Sequence, residues 1–292
     1  MTLVCEGAAD PQACLTDHYL RGASRGATPC APPPSTIDGK RRLVLHTAKD
    51  VSDDELGAET RPLARYFEPY KLTFVVGERP TAVAFDYALA GEDAEVERRA
   101  KERGVALSDD AAMQAIAGEV MGENLRGFLT AQPPASDVVH VVVLSKIASP
   151  SIAKAIAGTL VGLGLSPALL RAVAANDPSK DLFTLLKLPS EFPATLFIGH
   201  DDVTRFGSLV GPVVVAHEMG HALGLEHTAD TANLMYPTVN AAPVCVPSLS
   251  AAQVSQLKAL ALSTPRALEG VDALIEATTA LARAARNAPK PR

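Results

Sequence analysis

The chain has no tryptophan, and its aromatic residues amount to only 4%. Aromatic side chains bury the most area each in an ordinary core. Val, Leu and Ala must do that work here, and an apolar content of 47% is enough for a real interior. No lysine- or arginine-rich run is present, and the formal net charge is −6. A nucleic-acid partner therefore has no electrostatic footing. No apolar run reaches the ~20 residues of a membrane span. The nearest, Ala155 to Leu170, holds Gly158, Gly162 and Gly164 and is broken by Pro167. Residues 1–20 have neither the basic start nor the apolar core of a secretory leader.

Cysteine is scarce: Cys5, Cys14, Cys30 and Cys245. Four cysteines allow three pairings. The favoured set is Cys5 with Cys14, closing a short loop, and Cys30 with Cys245, stapling the N-terminal stretch to the C-terminal part. On that reading the protein is secreted or periplasmic, with its leader missing from the listed chain. A cytoplasmic protein with four thiols is the alternative.

With 292 residues the chain suits one large domain or two small ones. Residues 1–39, with Pro29, Pro32, Pro33 and Pro34 and little periodicity, read as an extension or linker. Arg41 to Thr47 reads as a strand, and Ser52 to Tyr70 as a helix. Ser52 and Glu55 make its capping box, and Leu56, Leu63 and Phe67 share a face. Lys71 to Val76 is the next strand. Phe85 to Ala131 is charged and alanine-rich, a helical insertion with Asp109-Asp110 opening a helix to about Leu129. Val138 to Leu144, V-V-H-V-V-V-L, is apolar enough for a central strand. Ser151 to Ala175 reads as a second helical insertion, and Ala194 to Gly199 as the last strand. Either insertion is long enough to roof a cleft. His200, Asp201 and Asp202 follow, and two carboxylates in a turn suit calcium. His18, His46 and His140 belong to no motif and read as structural.

The chemistry concentrates in Val213 to Pro237, V-V-V-A-H-E-M-G-H-A-L-G-L-E-H-T-A-D-T-A-N-L-M-Y-P. Gly211-Pro212 precedes it, with proline placed for a first helical position. His217 and His221 are four apart, so a helix stacks them on one face. Two imidazoles then reach one metal ion at the ~2.0–2.1 Å that zinc requires. Glu218 falls beside the metal, where a general base for water belongs. Gly224 ends the helix in a left-handed turn, which glycine adopts without steric cost. The returning chain brings His227 as a third ligand. Three imidazoles suit Zn2+ rather than an oxygen-seeking cation. Three ligands also leave a fourth position open, the mark of a catalytic site. Ser250 to Leu262 and Thr264 to Ala285 read as closing helices, and the last residues as frayed.

His217, Glu218, His221, Gly224 and His227 complete H-E-x-x-H-x-x-G-x-x-H, and Met235 follows in N-L-M-Y-P. This resembles the metzincin clan of zinc endopeptidases, with its methionine turn under the metal. Thr228 after the third ligand, the L-M-Y-P turn and Leu249-Ser250 resemble the matrixin-like branch. The resemblance covers Val213 to Leu260 and beyond that only the order of elements.

It implies an α+β, zincin-like fold: a mixed sheet, an active-site helix, helical insertions and a mainly helical C-terminal subdomain. It implies a catalytic domain over 40–292, split into an upper part, 40–224, and a lower part, 225–292. The expected ligands are His217, His221 and His227, the base is Glu218, and Gly224 and Met235 support the site. The substrate would be an extended protein or peptide chain, hydrolysed by an endopeptidase. Two alternatives stand beside it: a zinc-fold binding or adhesion module, and a narrowly specific peptidase with a roofed cleft. Matrixins hold latency with a P-R-C-G cysteine, and Cys30 is a candidate for that role. It lacks the flanking arginine and glycine.

Overall fold

The computed structural model describes residues 5, 8–20, 30–83, 89, 93–148, 161–176, 181–237 and 247–260. One mixed sheet organises it. Its strands are β1 (Gly39–Thr47), β2 (Leu72–Val76), β3 (Thr81–Ala82), β4 (Val138–Leu144), β5 (Gly162–Leu165) and β6 (Ala194–Gly199). They lie in the order β2-β1-β4-β6-β5, with β3 beside the end of β1. All pairs are parallel except β5 with β6. All seven residues of β4 are buried, as a centre strand covered on both faces requires.

Helix α2 (Asp53–Phe67) joins β1 to β2. Its capping box is formed as expected: Ser52 N donates to Glu55 Oε2 at 2.7 Å, and Glu55 N donates to Ser52 Oγ at 3.3 Å. Leu56, Leu63 and Phe67 are fully buried. The Phe85 to Ala131 insertion supplies α3 (Asp93–Glu102) and α4 (Asp110–Ala131), capped by Asp109. Arg99 to Glu123 and Arg103 to Glu119 ion pairs tie the two together. Phe128 of α4 stacks edge-on against His46 and Phe197. Leu163 of β5 pairs with Phe197 and so shares its face, while Gly162 and Gly164 point the other way. The other face carries α2 and α8 (Gly207–Ala222), which holds the site. The helices α3 and α4 therefore cover the back of the sheet and do not roof the site.

Three expectations need correction. First, Ser151 to Ala175 is not one helix. Residues 151–160 lie outside the described part; 162–165 form the edge strand β5, and α5 (Pro167–Asn176) follows. G-L-G-L alternates with the strand period but is only four residues long and half glycine; pairing with β6 makes it a strand.

Second, residues 1–39 are not all linker. Helix α1 (Pro11–Leu20) buries Leu15, Tyr19 and Leu20 in the main core. Thr60 Oγ1 donates to Tyr19 O at 2.6 Å, and Val76 N on the outer strand donates to Thr16 Oγ1 at 3.0 Å. That last bond satisfies an amide on a sheet edge, a position natural sheets must protect.

Third, Pro212 is not a first helical residue. Helix α8 begins at Gly207 and carries Pro212 inside. Proline this early loses a single helical bond, the one its N–H would send to Ser208, so the helix survives. The short α6 (Leu182–Leu185) and α7 (His200–Thr204) precede α8, and α9 (Ala251–Leu260) follows it. The expected helix Thr264 to Ala285 lies outside the described residues. No described helix is long and apolar enough to cross a membrane.

Cys5 and Cys14 form a disulfide. Cys30 is also disulfide-bonded, so it has no thiolate to lend a metal as a latency cysteine. Its expected partner, Cys245, lies outside the described residues. If the two are joined, Cys30→Ala and Cys245→Ala should each cost about 2–5 kcal/mol, and the double variant little more than either. Equal losses in Tm would show the pairing. Free thiols at both positions, found by non-reducing peptide mapping, would refute it.

Candidate metal centre

The approach to the site is an apolar helix, V-V-V-A, packed under β5 and β6. The edge strand lies so close that side chains are excluded. A Cβ on Gly164 would meet Ala222 N and His221 Cβ at 2.7 Å and overlap the Glu218 carbonyl. A Cβ on Gly162 would stand 2.7 Å from Glu218 Cγ. Those two glycines were the overlooked residues of the site. Their signal was present as G-x-G three residues before Pro167, but only packing gives it meaning.

Helix α8 ends in a Schellman motif. Gly224, at φ +87°, donates to His221 O, and Leu225 N donates to Gly220 O, both at 2.8 Å. The chain turns back, and His227 meets the other two histidines. The Nε2 atoms of His217, His221 and His227 stand 3.1 Å from one another. Their opposite nitrogens explain why. His217 Nδ1 donates to Leu234 O and His221 Nδ1 to Leu225 O, both at 2.8 Å. With Nδ1 protonated, each neutral ring turns a bare Nε2 lone pair inward. Lone pairs cannot hydrogen-bond one another. Three Nε2 atoms meeting at one point suit a cation, and nitrogens at zinc's ~2.0–2.1 Å in a tetrahedron stand about 3.3 Å apart. Among the described residues these three form the one cluster able to hold a metal. Burial holds His221 neutral well below its usual range, and His217 and His227 push the same way. Neutral imidazole is the form a metal binds.

Glu218 is half-buried, with its Oε2 accepting from Gly164 N at 3.0 Å. Burial raises its pKa; nearby His217 and the Gly164 N–H oppose that. Met235 is fully buried, and its Sδ occupies the space a Cβ on Gly220 would need. The methionine turn thus sits directly against the helix between His217 and His221. Thr228 N donates to Met235 O at 2.9 Å, closing the loop from the third histidine to the turn.

The calcium expectation finds no support. Asp202 is buried and accepts from Ile147 N and Arg205; Asp201 pairs with Lys146 at 3.5 Å; His200 bonds Glu59 at 2.8 Å. Both carboxylates already have cationic partners. His46 and His140 bond each other at 2.8 Å on the back of the sheet, away from the metal helix. Burial pushes them down to about 3 and about 4.

The family model for Matrixin matches residues 207–260, a minority of the chain. Comparison with curated proteins yields no match. The crystal structure of archaemetzincin from Methanopyrus kandleri is similar with a TM-score of 0.38 at 12% identity, covering 77% of this chain and 97% of that one. The matched segment holds α8, the three histidines, Met235 and α9. Together with the converging imidazoles, the family match supports a zinc peptidase of metzincin type.

Proposed function

We propose that the chain is a zinc-dependent endopeptidase, and within the metzincins a matrixin-like one. The observation that carries this reading is the convergence of three Nε2 atoms beside a carboxylate held on a sheet edge. His217, His221 and His227 would hold the ion. Zinc, when bound, supplies a Lewis acid that polarises a carbonyl and acidifies water.

The chain's own residues do the rest. Glu218 takes a proton from the attacking water at a carboxylate oxygen. It passes that proton to the leaving nitrogen as the peptide C–N bond breaks. The Gly164 N–H keeps the carboxylate facing the cleft. Met235 forms an apolar floor beneath the imidazoles. Among the described residues β5 pairs only with β6, and its other edge, where Gly164 N–H meets Glu218, is the side on which an extended peptide would lie. The disulfide-bonded Cys5, Cys14 and Cys30 favour an oxidising compartment, outside the cell or in a periplasm.

Purified protein should carry about one zinc per chain, as three imidazoles and an open position require. It should clear casein until phenanthroline strips the metal. Elemental analysis of active protein showing no transition metal would falsify the assignment.

A further inference from the structure

Both helix-borne ligand rings are aimed by backbone carbonyls, Leu234 O for His217 and Leu225 O for His221. Those carbonyls sit on two short turns: Leu225 closes the Schellman motif, and Leu234 N donates to Ser248 O at 2.9 Å beside a single bridge between Asn233 and Ser248. Side chains of one further element add to those backbone bonds. Helix α9, far downstream in sequence, touches both.

Gln256 Nε2 donates to Gly224 O at 2.7 Å, on the peptide that joins the left-handed glycine to Leu225. Gln253 Oε1 accepts from Asn233 Nδ2 at 2.8 Å. Asn233 in turn uses its Oδ1 to accept from Met235 N at 2.8 Å, spanning Leu234. Gln253 Oε1 also accepts from Ser250 N at 2.8 Å, so the capping box of α9 fixes that glutamine. Asn233 is 5% exposed and Gln253 8%, and a buried amide that is left unpaired is costly. Gln253 and Gln256 are three apart and share one face of α9.

We propose that Gln253 and Gln256 are positioning residues for the metal, and that α9 is a clamp setting the angle of both ligand rings. This rests on the zinc reading of the three histidines. Each glutamine acts one peptide away from a carbonyl that orients a ring. Outer partners of metal ligands are worth about 10–100-fold in affinity. These lie one step further out, so about tenfold each is expected.

The chemistry of the two glutamines differs, and that gives the test. Gln253 serves through its oxygen, which a carboxylate can replace. Gln256 serves through its N–H, which a carboxylate cannot. Zinc affinity is measured by competition with a chromogenic chelator, and Tm is measured with and without zinc. Gln253→Ala, Gln256→Ala and Gln256→Glu should each lose about tenfold in affinity, and Gln253→Glu should stay within about twofold of wild type. Gln253→Ala also unpairs the buried Asn233 amide and so lowers the Tm of metal-free protein, but in every variant that loses affinity the gain in Tm on adding zinc should shrink. Equal falls in Tm with and without zinc, or unchanged affinity, would reduce both residues to ordinary packing and overturn the proposal. Wild-type protein that binds no zinc in the same titration would overturn the metal site itself and the clamp with it.

Discussion

Glu218→Gln is expected to lower peptide hydrolysis by at least ~10²-fold while zinc stays bound, the lower end of a general base's contribution. The amide keeps the shape of the side chain and its place on α8. Its amide oxygen can still accept from the Gly164 N–H, so the helix and the three rings are undisturbed. What is lost is an oxygen able to take a proton from water and return it to the leaving nitrogen. Steady-state rates on casein-derived peptides, with zinc content measured on the same sample, separate this from metal loss. A variant cleaving at the wild-type rate would remove Glu218 from the mechanism.

Gly164→Ala is expected to be the most damaging single methyl in the molecule. Its Cβ would be placed 2.7 Å from Ala222 N and His221 Cβ and onto the carbonyl of Glu218. These are mostly backbone atoms of the metal helix, which cannot rotate away. Overpacking a core costs about 1–3 kcal/mol where side chains can yield, and more where backbone must move. Destabilisation at or above the top of that range should appear in denaturant unfolding, together with loss of zinc. Gly162→Ala is the control. There the nearest neighbour is Glu218 Cγ, at 2.7 Å, on a side chain that can shift. That variant should fold and hold zinc but hydrolyse more slowly, because the carboxylate is displaced. If Gly164→Ala unfolded at the wild-type denaturant concentration, β5 would stand further from the helix than described.

The parts of the molecule that announce themselves in sequence are those whose chemistry is local. His217, Glu218 and His221 are fixed relative to one another by helical spacing alone. Gly224 ends that helix for a reason internal to the backbone: a left-handed φ that only glycine meets freely. The buried run of β4 and the Ser52-Glu55 box of α2 are likewise readable from a few neighbouring residues.

Tertiary structure decided everything that depends on what lies opposite. G-L-G-L became a strand because β6 supplies the ladder, and its glycines are required because the metal helix lies beneath. Residues 11–20 gained a helix with a buried face because β2 and α2 offered a surface to cover, although the stretch has almost no periodicity. The carboxylates of Asp201 and Asp202 looked open for calcium until Lys146, Arg205 and the Ile147 amide were brought to them. The sequence by itself determined the spacing of His217, Glu218 and His221 and the helix that carries them, since helical geometry links residues at most four apart. Only the folded chain decided how those rings are aimed and what holds the base. The Leu234 carbonyl, the Gly164 amide and the glutamines of α9 act through hydrogen bonds between segments far apart in sequence, and only the Leu225 carbonyl, four residues from His221, acts locally.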